Sequence, residues 1–283
     1  MDETQKDLFN SIVNEIYSLD SNCSIIGEDF DVDLQGSSHY IYDNASRPLF
    51  WHFNEETILT KPTYKTFIAL LDNYISNVGQ QEEVNREEVQ ENIDFINAIT
   101  DTDLVKKFHE LLIENDLFQG NFEVDFRRYL YITWFRLYSR NYESRKQGIL
   151  DSSAFEHTFV GETKESKGPI GFHNWLRLYL LEKSGELDYE GHVKKATKSL
   201  TVQVRFNWQG NDKVSSIFLG TSPEFEVCVY TLGLIMARKC GQDEFKIPFE
   251  IDGEEYSVQI YCKSKWSEKH KMRKVQLESA YPI

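Results

Sequence analysis

Residues 246–263 read KIPFEIDGEEYSVQIYCK. Ile247, Phe249 and Ile251 take every second place, Asp252-Gly253 supplies a turn, and aromatic and β-branched residues resume in YSVQIY. A period of two on either side of Asp-Gly predicts an antiparallel hairpin. Working outward, LTVQVRFNW (200–208), SSIFLG (215–220) and RKVQLESAYPI (273–283) have the same texture and predict further strands. Two helices interrupt them, on FHNWLRLYLLEKSG (172–185) and SPEFEVCVYTLGLIMARKCG (222–241), closed by Gly185 and Gly241.

The first half reads mostly as helix. In DLFNSIVNEIYSLD (7–20), Leu8, Ile12, Val13, Ile16 and Tyr17 recur at the three-and-four spacing of one helix face. Residues 63–78, 82–100 and 102–118 show similar spacing, with Thr100 or Asp101 placed to cap the last. FEVDFRRYLYITWFRLYSR (122–140) carries Phe126, Leu130, Trp134 and Leu137 at helical spacing. The expected class is α+β: one domain over 1–283, with a mostly helical lobe at 1–148 and a lobe of antiparallel β-sheets with packed helices at 149–283. No internal repeat or low-complexity segment is visible.

A chain of 283 residues, 40% of them hydrophobic, can bury one large core or two modest ones. Its longest apolar runs, FIALL and LGLIM, fall far short of the roughly 20 residues a membrane helix needs, so no membrane span is expected. The N-terminal stretch is acidic and amphipathic, unlike a secretory signal. The cytoplasm is the default compartment; secretion would require a leader removed before residue 1, and then Asn22-Cys23-Ser24 and Asn44-Ala45-Ser46 would become glycosylation triplets. Cys23, Cys228, Cys240 and Cys262 form no CxxC pair and suit reduced, mostly buried thiols. A monomer is the expected state.

A net charge of −15 argues against a polyanionic partner until its distribution is counted. Residues 1–150 hold 27 Asp and Glu against 13 Lys and Arg; residues 151–283 hold 19 against 18. The second half is therefore nearly neutral. Basic residues cluster there at Lys194, Lys195 and Lys198, and at Lys263, Lys265, Lys269, Lys271, Arg273 and Lys274 around Trp266. Such clusters neutralise phosphates; they also serve simply as solvated mixed-charge surface.

SSAFEHTFVGE (152–162) and GPIGFHNWLRLYL (168–180) place His157 and His173 sixteen positions apart. Two imidazoles with unperturbed pKa near 6.5 can act as base and acid together, which is what cleaving RNA through its own 2′-hydroxyl requires. A lysine can stabilise the extra phosphoryl charge, and Lys213 opens an apolar strand-like run forty positions past His173. Taken alone, each histidine is more often an ordinary hydrogen-bonded core or surface residue.

SSAFEHTFVGE, GFHNWLRLYLLEKSGELDYEG, NWQGNDKVSSIFLGTSPEFEVCVYTLGL and ESAYPI, in this order and spacing, resemble the EndoU family of poly(U)-specific endoribonucleases. The resemblance places the family's catalytic residues on His157, His173 and Lys213, and its motif glutamates on Glu156 and Glu162. ESAYPI looks like the Thr-x-Tyr-Pro ending of the related coronavirus endoribonuclease, which puts Ser279 and Tyr281 at the uridine-recognising positions. Ser215 and Ser216 are looser matches. The resemblance implies that 149–283 is the catalytic lobe. It also implies cleavage of single-stranded RNA at uridines, leaving a 2′,3′-cyclic phosphate and a 5′-hydroxyl. His173 is then expected as base, His157 as acid, Lys213 as charge stabiliser, and Glu156 and Glu162 either as histidine or cation partners or as ligands of loop amides.

Animal members generally need a divalent cation, manganese most often and calcium in some cases, and the sequence does not place it. EDFDVDLQGSSHY offers Asp29, Asp31 and Asp33, but Leu34 and Tyr40 stand where a calcium loop needs glycine and glutamate. Two rivals are an RNA-binding protein using the same groove with weak catalysis, and a carboxylate two-metal nuclease leaving 5′-phosphates.

Overall fold

A computed structural model describes residues 1–38, 42–165, 167–194, 200–267 and 272–283. Tyr40, Lys195, Lys198, Lys269 and Lys271 lie outside them, as do the side chains of Lys265, Trp266, Arg273 and Lys274. The chain begins with α1 (Glu3–Tyr17), whose N-terminus is closed by an Asp2–Gln5 capping box and whose buried stripe is Phe9, Ile12, Val13 and Ile16. Strands β1 (Phe30–Val32) and β2 (Phe50–Phe53) pair antiparallel, and are too short for alternation to reveal them in a half read as mostly helical. Helices α2 (Glu55–Ile58), α3 (Pro62–Ala69), α4 (Arg86–Thr100) and α5 (Asp103–Glu114) follow. The cap of α5 is Thr102, whose Oγ1 accepts from the Val105 amide at 3.3 Å. Thr100 and Asp101, expected there, instead finish α4.

The helix expected over 122–140 opens as a π-helical turn at Phe122–Phe126 and continues as α6 (Arg127–Phe135). It ends where Arg136 turns extended, so Leu137 lies past the helix and residues 137–140 run as irregular chain. After α7 (Tyr142–Gln147) and a second π-helical turn at Glu156–Val160, β3 (Glu162–Lys164) pairs antiparallel with β4 (Gly168–Ile170).

Helix α8 (Trp175–Ser184) starts at Asn174, whose side chain accepts from the Arg177 amide, and stops at left-handed Gly185. Strands β5 (Leu187–Lys194), β6 (Thr201–Trp208) and β7 (Asn211–Phe218) form one antiparallel sheet in that order. Helix α9 (Pro223–Cys240), capped by Ser222 and closed by Gly241, is buried from Pro223 through Ala237. It packs against α1, α3 and α5, which explains a sequence apolar all round rather than striped. Strands β8 (Glu244–Ile251), β9 (Glu254–Ser267) and β10 (Met272–Pro282) make the last antiparallel sheet, and α9 packs on all three. The β8–β9 turn is the Asp252-Gly253 pair, both residues at positive φ, 52° and 81°. The fold is thus α+β, as expected. Cys228 and Cys262 are buried and Cys23 and Cys240 half-buried, and among the described residues none is joined in a disulfide. Among the described residues no helix is long and apolar enough to cross a membrane.

Candidate active site

His157 sits in the π-helical turn Glu156–Val160, a form of helix rare enough that its presence commonly marks a functional position. The segment before α8 folds back on that turn. The Phe172 amide donates to the His157 carbonyl at 3.0 Å, and the His173 amide to the Thr158 carbonyl at 2.7 Å. The two histidines, sixteen residues apart in sequence, are thereby pinned together through the backbone. The reversal runs through Gly171 and Phe172, at φ 66° and 67°. A Cβ on Gly171 would lie 1.8 Å from the His157 carbonyl oxygen, so only glycine lets the strands of chain approach this closely.

His157, His173, Lys213, Ser279 and Tyr281 line one open groove of about 770 Å³. Lys213 stands on β7 opposite Phe206, and Ser279 and Tyr281 stand on β10 opposite Tyr261 and Gln259. The Tyr281 ring stacks on His173, with centroids 4.4 Å apart and planes 20° from parallel. Both glutamates are buried outside the groove lining. Glu162 Oε2 and His157 Nδ1 share a short hydrogen bond, and Oε2 is also 3.2 Å from Arg140 Nε. Glu156 accepts from the Ser153 amide at 3.2 Å, so of the two it is the loop-holding residue.

The tautomer of His173 follows from its neighbours. Its Nδ1 lies 3.1 Å from the Ser216 carbonyl, which only accepts, and 2.8 Å from Ser215 Oγ, whose own proton goes to the Phe172 carbonyl. Nδ1 therefore carries the proton and Nε2 keeps its lone pair for the groove. Burial holds both imidazoles well below the ordinary histidine range; the charges of Arg140 and Lys213 add to this at His157, and those of Lys213 and His157 at His173. Burial also lowers the Lys213 ammonium and raises the Glu162 carboxyl, the latter against the pull of Arg140.

Arg140, Lys164, Lys167 and Gln203 also line the groove, and the sequence reading missed them. Arg140 comes from the irregular chain after α6, and besides Glu162 it donates to the Glu278 carbonyl at 2.7 Å. It thus ties the His157 turn to β10. No local motif distinguishes it, since the link is made only by tertiary packing. The serines at 215 and 216, looser matches in sequence, stand directly on His173. The donor set does not fit a resident metal: among the described residues no group of three His, Cys, Asp or Glu is placed to hold an ion. The Glu162 oxygen facing His157 is already shared with Arg140.

Residues 9–282 match the family described as Endoribonuclease XendoU. The chain belongs to the XendoU family. It is 37% identical over 266 residues to poly(U)-specific endoribonuclease-B of Xenopus laevis, covering 89% of this chain and 87% of that one. It is 36% identical to uridylate-specific endoribonuclease B of Danio rerio, covering 100% and 98%. The solved structure of "XendoU: a splicing independent snoRNA processing endoribonuclease" matches with a TM-score of 0.79 at 33% identity, covering 97% of this chain and 96% of that one. The XendoU match extends over both halves of the chain, including the helical one.

Proposed function

We propose that the chain is a uridylate-specific endoribonuclease that cuts single-stranded RNA through its own 2′-hydroxyl. The reaction leaves a 2′,3′-cyclic phosphate and a 5′-hydroxyl. The observation that carries the mechanism is the pair of buried histidines, each with Nδ1 occupied and Nε2 left for a groove that also holds Lys213. His157 alone has a carboxyl group, that of Glu162, hydrogen-bonded at its Nδ1, which fixes its ring and leaves Nε2 to hand over a proton. It is the acid toward the leaving 5′-oxygen. His173, facing only neutral acceptors, is the base toward the 2′-hydroxyl. Lys213 stabilises the charge that grows on the phosphoryl oxygens.

A divalent cation, manganese or calcium, enters this proposal only as an ordering ion bound among the surplus carboxylates of residues 1–150. No chemical step runs through it. The test is an RNA with a single uridine, incubated with manganese, calcium or chelator, its product ends identified by mass. Cyclic phosphate at the uridine is expected; 5′-phosphate ends would point to a two-metal nuclease, and binding without turnover to an RNA-binding protein.

The specificity assignment has its own test. Ser279 supplies the hydroxyl that contacts uracil, and Tyr281, half-exposed and stacked on His173, supplies a ring face. Ser279→Ala is expected to narrow the preference for U over C by about 2- to 10-fold, the worth of one hydrogen bond. Tyr281→Ala is expected to weaken cleavage at every base about 5- to 100-fold, since stacking tolerates any ring. A lowered melting temperature with unchanged U-over-C preference in both variants would make this tail a plain packed strand.

Because burial and neighbouring charge both lower the histidines, the pH profile of kcat/KM is expected to peak on the acid side of 6.5, the ordinary imidazole value. The sign is fixed by the base: His173 stays neutral until the pH falls below its lowered pKa, so activity survives acidification past 6.5. Removing the Lys213 charge in Lys213→Gln should move the acid limb upward, toward 6.5, besides slowing turnover. An acid limb that does not move would separate Lys213 from the histidines.

A further inference from the structure

A second cavity of about 300 Å³ opens beside the groove, and Glu278 lines both. Its floor is Leu137, Tyr138, Leu150 and Val275; its cations are Arg136, Arg145 and Lys263. One carboxylate is present, that of Glu278, and Lys263 Nζ already holds it at 2.9 Å. Arg136 and Arg145 are exposed and make no ion pair with any described residue. This positive wall stands in the acidic half of the chain. Residues 127–146 carry six Arg and Lys against one Glu, while residues 1–150 as a whole carry 27 acidic residues against 13 basic.

The wall is also fixed in place. The Tyr138 amide donates to the Ser152 carbonyl at 2.8 Å, the Ser139 hydroxyl to the Ile149 carbonyl at 2.7 Å, and the Arg140 amide to Asp151 Oδ1 at 2.7 Å. On the other side the β10 register shifts between Leu277 and Ser279. A bulge re-aims side chains, and here it marks the passage from Ser279 and Tyr281, which face the groove, to Gln276 and Val275, which face the second cavity.

We infer that this cavity binds the RNA strand 3′ of the cut, its apolar floor under a base and its arginines on phosphates. The inference rests on the RNA-cleaving reading. Charge selects a polyanion, and continuity with the groove selects the strand already bound there. The direction comes from connectivity: Tyr138 lines the cavity, Arg140 donates to the Tyr138 hydroxyl, and Arg140 holds the Glu162 that holds His157. His157 is the residue on the leaving-oxygen side, so the leaving strand runs this way.

Three RNAs decide it: A-U-A, the same with four adenosines added 3′, and the same with four added 5′. The wild-type protein is expected to show its lowest KM with the 3′-extended RNA. The double variant Arg136→Ala/Arg145→Ala should raise that KM about tenfold, the loss of a charge-assisted contact, and leave kcat and the other two substrates unchanged. Its binding should also lose salt dependence, by about 0.7 in the slope of log K against log salt for each phosphate contact removed. Arg145→Lys, which keeps the charge, should retain most of the affinity that Arg145→Ala loses. An equal effect on all three RNAs, no effect, or an effect confined to the 5′-extended one overturns the subsite while leaving the uridine cleavage of the wild type standing. A wild type that cuts none of them overturns the function reading itself.

Discussion

His157→Ala and His173→Ala are each expected to lower turnover about 10²- to 10⁴-fold, the usual worth of a positioned acid or base, while RNA binding persists. Their roles separate by chemistry. A uridine 3′-phosphate ester with an aryl leaving group departs without protonation, so such a substrate should restore His157→Ala toward wild-type rates and leave His173→Ala slow. Recovery of the opposite variant would exchange base and acid. Near-full activity of either variant on RNA would remove the two-histidine mechanism. A thermal melt run beside the kinetics keeps fold loss apart from lost proton transfer: His157 releases Glu162 to Arg140, which remains as its partner at 3.2 Å.

Gly171→Ala should be as damaging without touching a functional side chain. The added methyl meets a backbone oxygen at 1.8 Å, so the 171–173 segment has to lift from the His157 turn and lose the bonds that join the histidines. Strain at positive φ alone costs about 1–3 kcal/mol. The melting temperature should fall by roughly 2–4 °C per kcal/mol and activity by more than about 100-fold. Gly185→Ala is the control: it sits at a similar φ, 76°, but its methyl points into open space. It should show the melting loss of positive φ with nearly unchanged activity. Equal losses in kcat for both variants would deny that the close approach holds the site together.

Much of this was legible in the sequence because it is periodic or chemically rare. The β8 strand alternates buried and exposed along its full length, and a period of two on each side of Asp252-Gly253 has few other readings. His157, His173 and Lys213 stood out because imidazoles are scarce, seven in the chain, and because the motifs around them resemble a family. What stayed hidden has physical reasons. The turn at Glu156–Val160 is buried on every residue, so no polar-apolar rhythm marks its π-helical form. Strands β3 and β4 are three residues each and show no period. Arg140 looked like the tail of a helix, and its partners, Glu162 and the Glu278 carbonyl, are 22 and 138 positions away. The assignment of Glu162 rather than Glu156 to His157 needed three dimensions, because both glutamates flank the same histidine in sequence.

The groove draws its walls from residues 140, 157, 173 and 213 and from Ser279 and Tyr281 on β10. A ribosome delivers these in order. Both histidines and the lysine emerge first, and Tyr281 comes 124 residues after His157. At roughly 5–20 residues per second the interval is about 6–25 s. Through it the growing chain carries His157, His173 and Lys213 without the Ser279 and Tyr281 wall of the groove. The groove is therefore whole only after β10 has been made.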